Sequence, residues 1–256
     1  MTENLALGVD IGGTGIKAGI VNLESGQIEG ERISLATPKP GTIKAVTAAA
    51  HELVRELDPD AIYPLGIGFP AALRRGMALS AVNLASEWQY ADVIAAFSKE
   101  FERPVAVIND SDAAGLAEVL YGSGRGVQGT IIVVTLGTGV GTSLIHNGRL
   151  VPNIEFGELQ VRGKRAGERV ANSVRKRQKL SWRRWARDLS IFVEQLDVAA
   201  SPELVILGGG VSKKAHKFVP LIQSGVRVVP ASLRNDAGIA GAAANAAFTL
   251  PRPSRE

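Results

Sequence analysis

Residues 9–22 read V-D-I-G-G-T-G-I-K-A-G-I-V-N, and residues 134–147 read V-T-L-G-T-G-V-G-T-S-L-I-H-N. Slid over one another without a gap, Gly12 falls on Gly137 and Asn22 on Asn147. In each, an apolar run enters a glycine turn and a second apolar run leaves it, the pattern of a β-hairpin. Glycine lets a backbone approach an anion closely, exposed N–H groups line that approach, and threonine hydroxyls add donors. A single hairpin of this kind is as well explained by a turn that merely needs glycine. Two of them, one carrying Asp10 and Lys17, predict a pair of phosphate cradles. Gly12, Gly13, Thr14 and Lys17 would form the first, and Thr138 with Gly139 the second.

The elements around the hairpins repeat as well. Strands are expected over 5–10, 16–21 and 27–35. A helix follows over 43–57, capped by Thr42, with Ile43, Val46, Ala50, Leu53, Val54 and Leu57 on one face. A buried strand over 65–69, a helix over 92–101 and a strand over 105–108 complete the first half. The second half offers strands over 130–135, 141–146 and 149–151, then helices. A strand over 204–207 runs into Gly208-Gly209-Gly210, and a helix, a strand over 226–229 and an alanine-rich helix from about 236 close it. The tail from Pro251 reads as frayed. The order β-β-β-α-β-α, twice, predicts an α/β fold built by duplication. Two similar domains around a cleft are expected, 1–108 and 109–256, with the helix of about 236–249 free to pack back on the first.

Chemistry is expected where strands end. Asp10, at the end of the first strand, is a carboxylate that can hold Mg²⁺ against phosphate oxygens; its bland alternative is to cap the turn. Lys17 either reaches a phosphate as a point charge or is a solvated strand lysine. Asn109 and Asp110 end the strand 105–108, the position that faces ligands in α/β folds. Transfer of a phosphoryl group to a hydroxyl needs a base near that hydroxyl, which Asp110 can supply while Asn109 holds the acceptor. The competing reading makes the same residues a helix start with Asp112 as the cap. Asn83, Glu155 and Glu158 are of the types that read sugar hydroxyls, each accepting or donating several hydrogen bonds. Trp88 either lines that pocket or packs in a core.

The 256 residues suffice for one large domain or two small ones, and 45% are apolar, as in an ordinary globular protein. The absence of cysteine excludes disulfides and thiolate metal sites. No run of about 18 apolar residues or signal-peptide pattern is present, so a soluble cytoplasmic protein without a membrane partner is expected. Net charge is only +4, yet Arg162, Lys164, Arg165, Arg169, Arg175, Lys176, Arg177, Lys179, Arg183, Arg184 and Arg187 crowd one stretch in which Glu168 is the only acid. Such a run attracts polyanions unless it is a solvated face. From Ser181 onward the spacing predicts an amphipathic helix with Trp182, Trp185, Leu189, Phe192, Val193 and Leu196 inward.

Taken together, D-I-G-G-T-G-I-K at 10–17 and L-G-T-G-V-G at 136–141 resemble the two phosphate motifs of the actin–hexokinase superfamily. L-G-G-G-V-S at 207–212 resembles its adenosine-side motif. G-F-P at 68–70, N-D-S-D-A-A at 109–114 and E-F-G at 155–157 are similar to the ROK-type sugar kinases within it. V-P-N-I-E-F-G-E-L, S-W-R-R-W-A-R-D-L and V-P-A-S-L-R-N-D-A-G-I-A-G-A-A are similar to the subgroup of polyphosphate glucokinases. The likeness runs from Leu7 to about Ala247.

The resemblance implies Asp110 as catalytic base and Asn83, Asn109 and Glu155 as sugar ligands, with Glu158 beside them where many ROK kinases carry histidine. It implies donor binding by Asp10, Gly12, Gly13, Thr14, Lys17, Thr138, Gly139, Gly209 and Gly210, with Mg²⁺ on Asp10. The family's zinc-binding cysteines are missing, as in polyphosphate-type members. The expected activity is transfer of a phosphoryl group from inorganic polyphosphate, with ATP as a further donor, to the 6-hydroxyl of glucose by a homodimer. Arg162, Lys164, Arg165, Arg175, Arg177, Arg183 and Arg184 would track the polyphosphate. Left open are an ATP-only kinase for glucose, mannose or an amino sugar, and a sugar-responsive repressor. The second is disfavoured because only four residues precede the first strand and no nucleic-acid partner is expected.

Overall fold

The computed structural model describes residues 4–81 and 83–251; the tail beyond Pro251 lies outside the described residues. The chain forms two compact units, one holding the residues up to Ala117 and those from Asp236 onward, the other Glu118–Asn235.

The first unit is built on a five-stranded sheet in the order Ile28–Ala36, Gly15–Asn22, Leu5–Ile11, Leu65–Phe69, Ala106–Asn109. The first three strands are antiparallel neighbours and the last three run parallel. Leu65–Phe69 is buried throughout, as a parallel strand covered on both faces must be. One face is covered by the helix Ile43–Leu57, whose Val46, Ala50, Leu53 and Val54 are buried. Thr42 caps that helix, its hydroxyl accepting from Ala45 N at 3.2 Å. Helix Val93–Phe101 is capped by Asp92 and adds Phe97 and Phe101 to a cluster with Phe69 and Trp88.

The alanine-rich helix Ala237–Thr249 lies against this sheet at backbone-to-backbone distance. A Cβ on Gly8 would stand 2.1 Å from Ile239 O, one on Gly66 1.8 Å from Ala242 O, and one on Gly241 1.7 Å from Ala113 O. Glycine within a strand marks this kind of approach. The contact at Ala113 draws most of helix Asp110–Leu120 into the first unit, so that unit runs to Ala117 rather than ending at 108.

The second unit repeats the plan with a sheet ordered Arg149–Val151, Val140–His146, Thr130–Leu136, Leu204–Gly208, Arg227–Pro230, with the same pattern of antiparallel and parallel pairs. Helix Trp182–Ala200, capped by Ser181, packs Trp185, Leu189, Phe192, Val193 and Leu196 onto Ile132, Val134, Val205 and Leu207. The buried Glu118 carboxylate accepts from the backbone N–H of Ser123, Ser232 and Leu233, which offsets the cost of burying its charge.

The two hairpins differ in one respect that the ungapped superposition hides. In the first, Ile11 pairs with Ile16 and Asp10 with Lys17; in the second, Leu136 pairs with Val140 and Thr135 with Gly141. The second turn is one residue shorter, so the returning strands are one residue out of step. Because side chains alternate faces along a strand, that step reverses which ones share a face. Lys17 therefore stands opposite Asp10, while Thr142, its counterpart by number, stands opposite Val134 and is buried.

The glycine contacts define a stability test. Gly66→Ala should cost about 1–3 kcal/mol or more, since overpacking forces the backbone apart. Denaturant unfolding checks this, and a change within the roughly 0.5 kcal/mol of an ordinary surface substitution would contradict it.

Candidate active site

In the first unit, three parallel strands present their C-terminal ends on one edge. Asp10 lies in register with Gly68, and Gly68 with Ile108. Asp10 and Ile108 therefore stand two strand spacings apart, roughly 10 Å of backbone, and Asp110 follows two residues later as the strand gives way to a helix at the same edge. Asp10 is 16% exposed and its Oδ2 accepts from Lys17 Nζ at 2.9 Å; Lys17 is 33% exposed. Lys17 thus stands in the structure as the ion-pair partner of the Asp10 carboxylate. On its other side Asp10 meets the start of the last helix, where a Cβ on Gly238 would lie 2.8 Å from Asp10 Cγ. The Gly12–Gly15 turn is closed by Gly12 N donating to Gly15 O at 3.0 Å. The Thr37 hydroxyl donates to Gly12 O at 2.5 Å and holds it from outside. Thr14 is exposed at its tip, and Asn83 packs beside Gly13, within 3.1 Å of where a Cβ would stand.

Asn109 is buried, and its Oδ1 accepts from both Ser111 N at 2.9 Å and Asp112 N at 3.0 Å. Asn109 therefore caps helix Asp110–Leu120, and Asp112, expected as the cap, sits inside the first turn. The cap occupies the oxygen of Asn109 and leaves its amide N–H groups to meet an acceptor. Asp110 opens the helix half-buried, its Oδ1 accepting from Ser111 N at 2.8 Å. Trp88 takes its core alternative: it is fully buried, with Nε1 donating to Gly41 O at 3.0 Å.

In the second unit, four features gather around the hairpin. The turn itself is closed by Gly137 N donating to Gly139 O at 3.0 Å, and residues 137–139 are exposed. No atom lies within 4 Å of a Cβ built on Gly137 or Gly139, so nothing in the local packing demands glycine at either. Ser173 buttresses the turn, its hydroxyl donating to Thr138 O at 2.6 Å and its N–H to Gly137 O at 3.1 Å. Gly209, at φ +81°, abuts Leu136 just before the turn, and Gly210 follows with open space around it. The segment carrying Glu155 and Glu158 is fastened to the same hairpin by Thr142, whose hydroxyl donates to Ile154 O at 2.5 Å and accepts from Phe156 N at 2.9 Å. Partial burial of the Glu155 carboxyl, and then the charge of Glu158, hold it above the usual carboxylate range even though the residue as a whole is exposed.

The basic run does not act as one surface. Arg162 and Arg169 both pair with the buried Asp188, at 2.9 Å and 3.1 Å. Arg165 bridges Glu168 at 2.9 Å and Glu158 at 3.4 Å. Arg175 stacks 3.9 Å over the Trp182 ring and donates to Asn172, a cation–π seat that fixes the start of the long helix. Lys164, Arg177, Arg183 and Arg184 are exposed and make no ion pair among the described residues.

Sequence reasoning missed Thr37, Ser173, Asp188 and Gly238. The first three gave no signal, because each acts through a contact distant in the chain. Gly238 left one: with Gly241 it forms a small-residue spacing of three on the last helix, which marks a face built for close packing.

A duplicated sheet of this topology, with carboxylates at the ends of its parallel strands and glycine turns at both hairpins, defines an actin/hexokinase-type phosphotransferase fold. The ROK family model matches residues 6–155, and the chain belongs to the ROK family. It is 42% identical to a polyphosphate glucokinase of Mycobacterium tuberculosis (strain CDC 1551 / Oshkosh) over 94% of this chain and 91% of the relative. It is 44% identical to a polyphosphate glucokinase of Mycobacterium leprae over 94% of this chain and 74% of the relative. Among solved structures, the inorganic polyphosphate/ATP-glucomannokinase of Arthrobacter sp. strain KM superposes with a TM-score of 0.91 at 43% identity, covering 96% of this chain and 99% of that one.

Two expectations follow. Gly137→Ala combined with Gly139→Ala should leave the thermal midpoint almost unmoved while raising KM for the phosphoryl donor; equal loss of stability and donor use would make the glycines structural. Glu158→Gln removes a charge that raises the Glu155 pKa, so the acid limb of kcat/KM for the sugar should move to lower pH. An unmoved limb, or one shifted to higher pH, would show that Glu155 does not titrate in that limb.

Proposed function

We propose that the protein transfers the terminal phosphoryl group of inorganic polyphosphate, and of ATP, to the 6-hydroxyl of glucose. The choice of donor and acceptor is supported by the relatives above, whose names include polyphosphate glucokinase and polyphosphate/ATP-glucomannokinase. One observation carries the chemistry: Asp10 and Asp110 stand on one strand edge at a spacing that lets one carboxylate serve the donor phosphate and the other the acceptor hydroxyl.

In this reading Asp110 accepts the proton of the 6-hydroxyl, and the sugar oxygen attacks the terminal phosphorus. The bridging oxygen leaves with the shortened chain or with ADP. Asn83, Asn109, Glu155 and Glu158 orient the sugar. Gly12, Gly13, Thr14, Thr138 and Gly139 meet donor oxygens through backbone and hydroxyl donors, with Gly209 and Gly210 on the donor's far side. Lys17 has two roles, holding Asp10 in place and adding positive charge next to it.

No cluster of three or more histidine, cysteine or acidic side chains able to hold a metal occurs among the described residues. Mg²⁺ bound through a single carboxylate and substrate phosphates needs none, so Asp10 fits that ion. Bound there, Mg²⁺ would supply charge neutralisation for the donor phosphates. Cytoplasmic residence and a homodimeric state belong to the same reading. No helix among the described residues is long and apolar enough to cross a membrane.

The test is glucose 6-phosphate formation from glucose and Mg²⁺ with polyphosphate or ATP in separate reactions, mannose serving as an alternative acceptor. Product from ATP alone would leave an ATP-only sugar kinase. Asp110→Asn keeps the helix-start hydrogen bond but cannot take the proton, and should lower kcat by about 10²–10⁴-fold with sugar binding preserved. A variant keeping more than roughly a tenth of the wild-type rate would remove Asp110 from the role of base.

A further inference from the structure

Each glycine turn is held from outside its hairpin by one hydroxyl residue, and in the same manner. Ser173 gives its N–H to Gly137 O at 3.1 Å and its hydroxyl to Thr138 O at 2.6 Å. Thr37 gives its N–H to Thr14 O at 3.3 Å and its hydroxyl to Gly12 O at 2.5 Å. Ser173 lies at the start of the short helix Asn172–Arg177, where a backbone N–H has no partner within the helix. Thr37 follows the strand Ile28–Ala36 and is buried. One residue comes from a helix and the other from the end of a strand, so the shared arrangement is not a by-product of the duplicated plan.

The peptides of both turns are trans, and a trans peptide points its C=O and its N–H in opposite directions. With the carbonyls of Gly137 and Thr138 both drawn to Ser173, the N–H groups of Thr138 and Gly139 are directed away from it. With Gly12 O drawn to Thr37, the Gly13 N–H is directed away in the same sense. None of these N–H groups donates to another group among the described residues. Residues 137–139 are exposed, and a Cβ on Gly137 or Gly139 would face open space. Successive N–H groups on one side of a turn form a concavity suited to an anion. Glycine also accepts either sign of φ, so a peptide bordered by glycine can turn over and put its C=O where the N–H stood. A carbonyl in that place would repel a phosphate oxygen.

Resting on the donor reading above, we propose that Ser173 and Thr37 are positioning residues for the phosphoryl donor, each locking its turn in the orientation that presents N–H groups to phosphate oxygens. Glycine opens the approach, and the hydroxyl fixes which end of each peptide faces it. Both residues act through the turns they hold. The hold is on turns that every donor would use, so its effect is the same for ATP and for polyphosphate of any length.

The experiment compares wild type with Ser173→Ala and Thr37→Val, which remove the hydroxyls, and with Ser173→Thr and Thr37→Ser, which keep them. KM and kcat are measured for ATP, tripolyphosphate, long-chain polyphosphate and glucose, together with the thermal midpoint. Backbone amide NMR follows Gly13, Thr138 and Gly139 as inorganic tripolyphosphate is added. Loss of either hydroxyl should raise KM for every donor by about three- to tenfold, the worth of one hydrogen bond. KM for glucose should stay near wild type, and the conservative variants should restore donor KM. The Thr138 and Gly139 amide signals should move on addition of tripolyphosphate in wild type, and move less in Ser173→Ala. If Thr37→Val does not fold, Ser173→Ala carries the test alone. Donor KM within about twofold of wild type in Ser173→Ala, with the amide response unchanged, would overturn the proposal. So would an equal loss for donor and glucose that threonine does not rescue, the pattern of general structural damage. If wild type makes no product from any donor, yet its Thr138 and Gly139 amides answer tripolyphosphate only when Ser173 is present, the donor reading fails and the positioning role stands. If wild type uses the donors and Ser173→Ala uses them equally well, the positioning role fails and the donor reading stands.

Discussion

The first unit depends on one close contact, the backbone of helix Ala237–Thr249 laid on the backbone of the central strands. Gly8 and Gly66 permit it, since any side chain at either would overlap a carbonyl of that helix, and Gly241 lets the same helix meet Ala113 of helix Asp110–Leu120 just as closely. At so short a distance only small side chains fit between, and the buried residues of the helix are alanine or glycine with the single exception of Ile239. The same contact reaches the chemistry. It sets Gly238 against the Asp10 carboxylate, and Asp10 in turn holds Lys17. A packing constraint between elements far apart in sequence thereby fixes the orientation of an acid that the proposed reaction needs.

The second unit is organised differently. Its hairpin tip is open, and the groups around it are hung from the hairpin by particular hydrogen bonds: Ser173 from the turn, Ile154 and Phe156 from Thr142. Its long helix is fixed by charge as well as by apolar contact, with Arg162 and Arg169 neutralising Asp188 and Arg175 lying on Trp182. Removing one partner from such an arrangement leaves a buried charge uncompensated. These arginines are accordingly part of the architecture, whatever anion the neighbouring ones attract.

Much of the fold was legible because hydrophobic period and turn chemistry agree in this chain. The helix Ile43–Leu57 and the strand Leu65–Phe69 have the bounds that their spacing implies, and the duplication is visible in the order of elements. The register of the second hairpin was not legible, because a turn of three residues and one of four both suit a glycine-rich stretch. The helix cap was misplaced because Asn109, Asp110 and Asp112 are all good capping residues, and only tertiary placement selects Asn109. Among the candidate residues, Asp10, Asn109 and Asp110 could be placed from strand ends alone. The splitting of the arginine run could not, since Asp188 and Trp182 lie on the inner face of a helix whose outer face carries the charge.

The first sheet is covered by residues from both ends of the described chain. While the protein is being made, Leu5–Ile11 and Leu65–Phe69 emerge long before residues 237–249 exist to shield them. Throughout that interval the glycine-lined face of the sheet is bare, and the second unit, whose residues are consecutive, is complete before the first. The order of synthesis thus sets the order of assembly: the unit bearing Asp10 and Asp110 is the last to close, and a chain interrupted late in translation would carry a finished second unit beside an open first one.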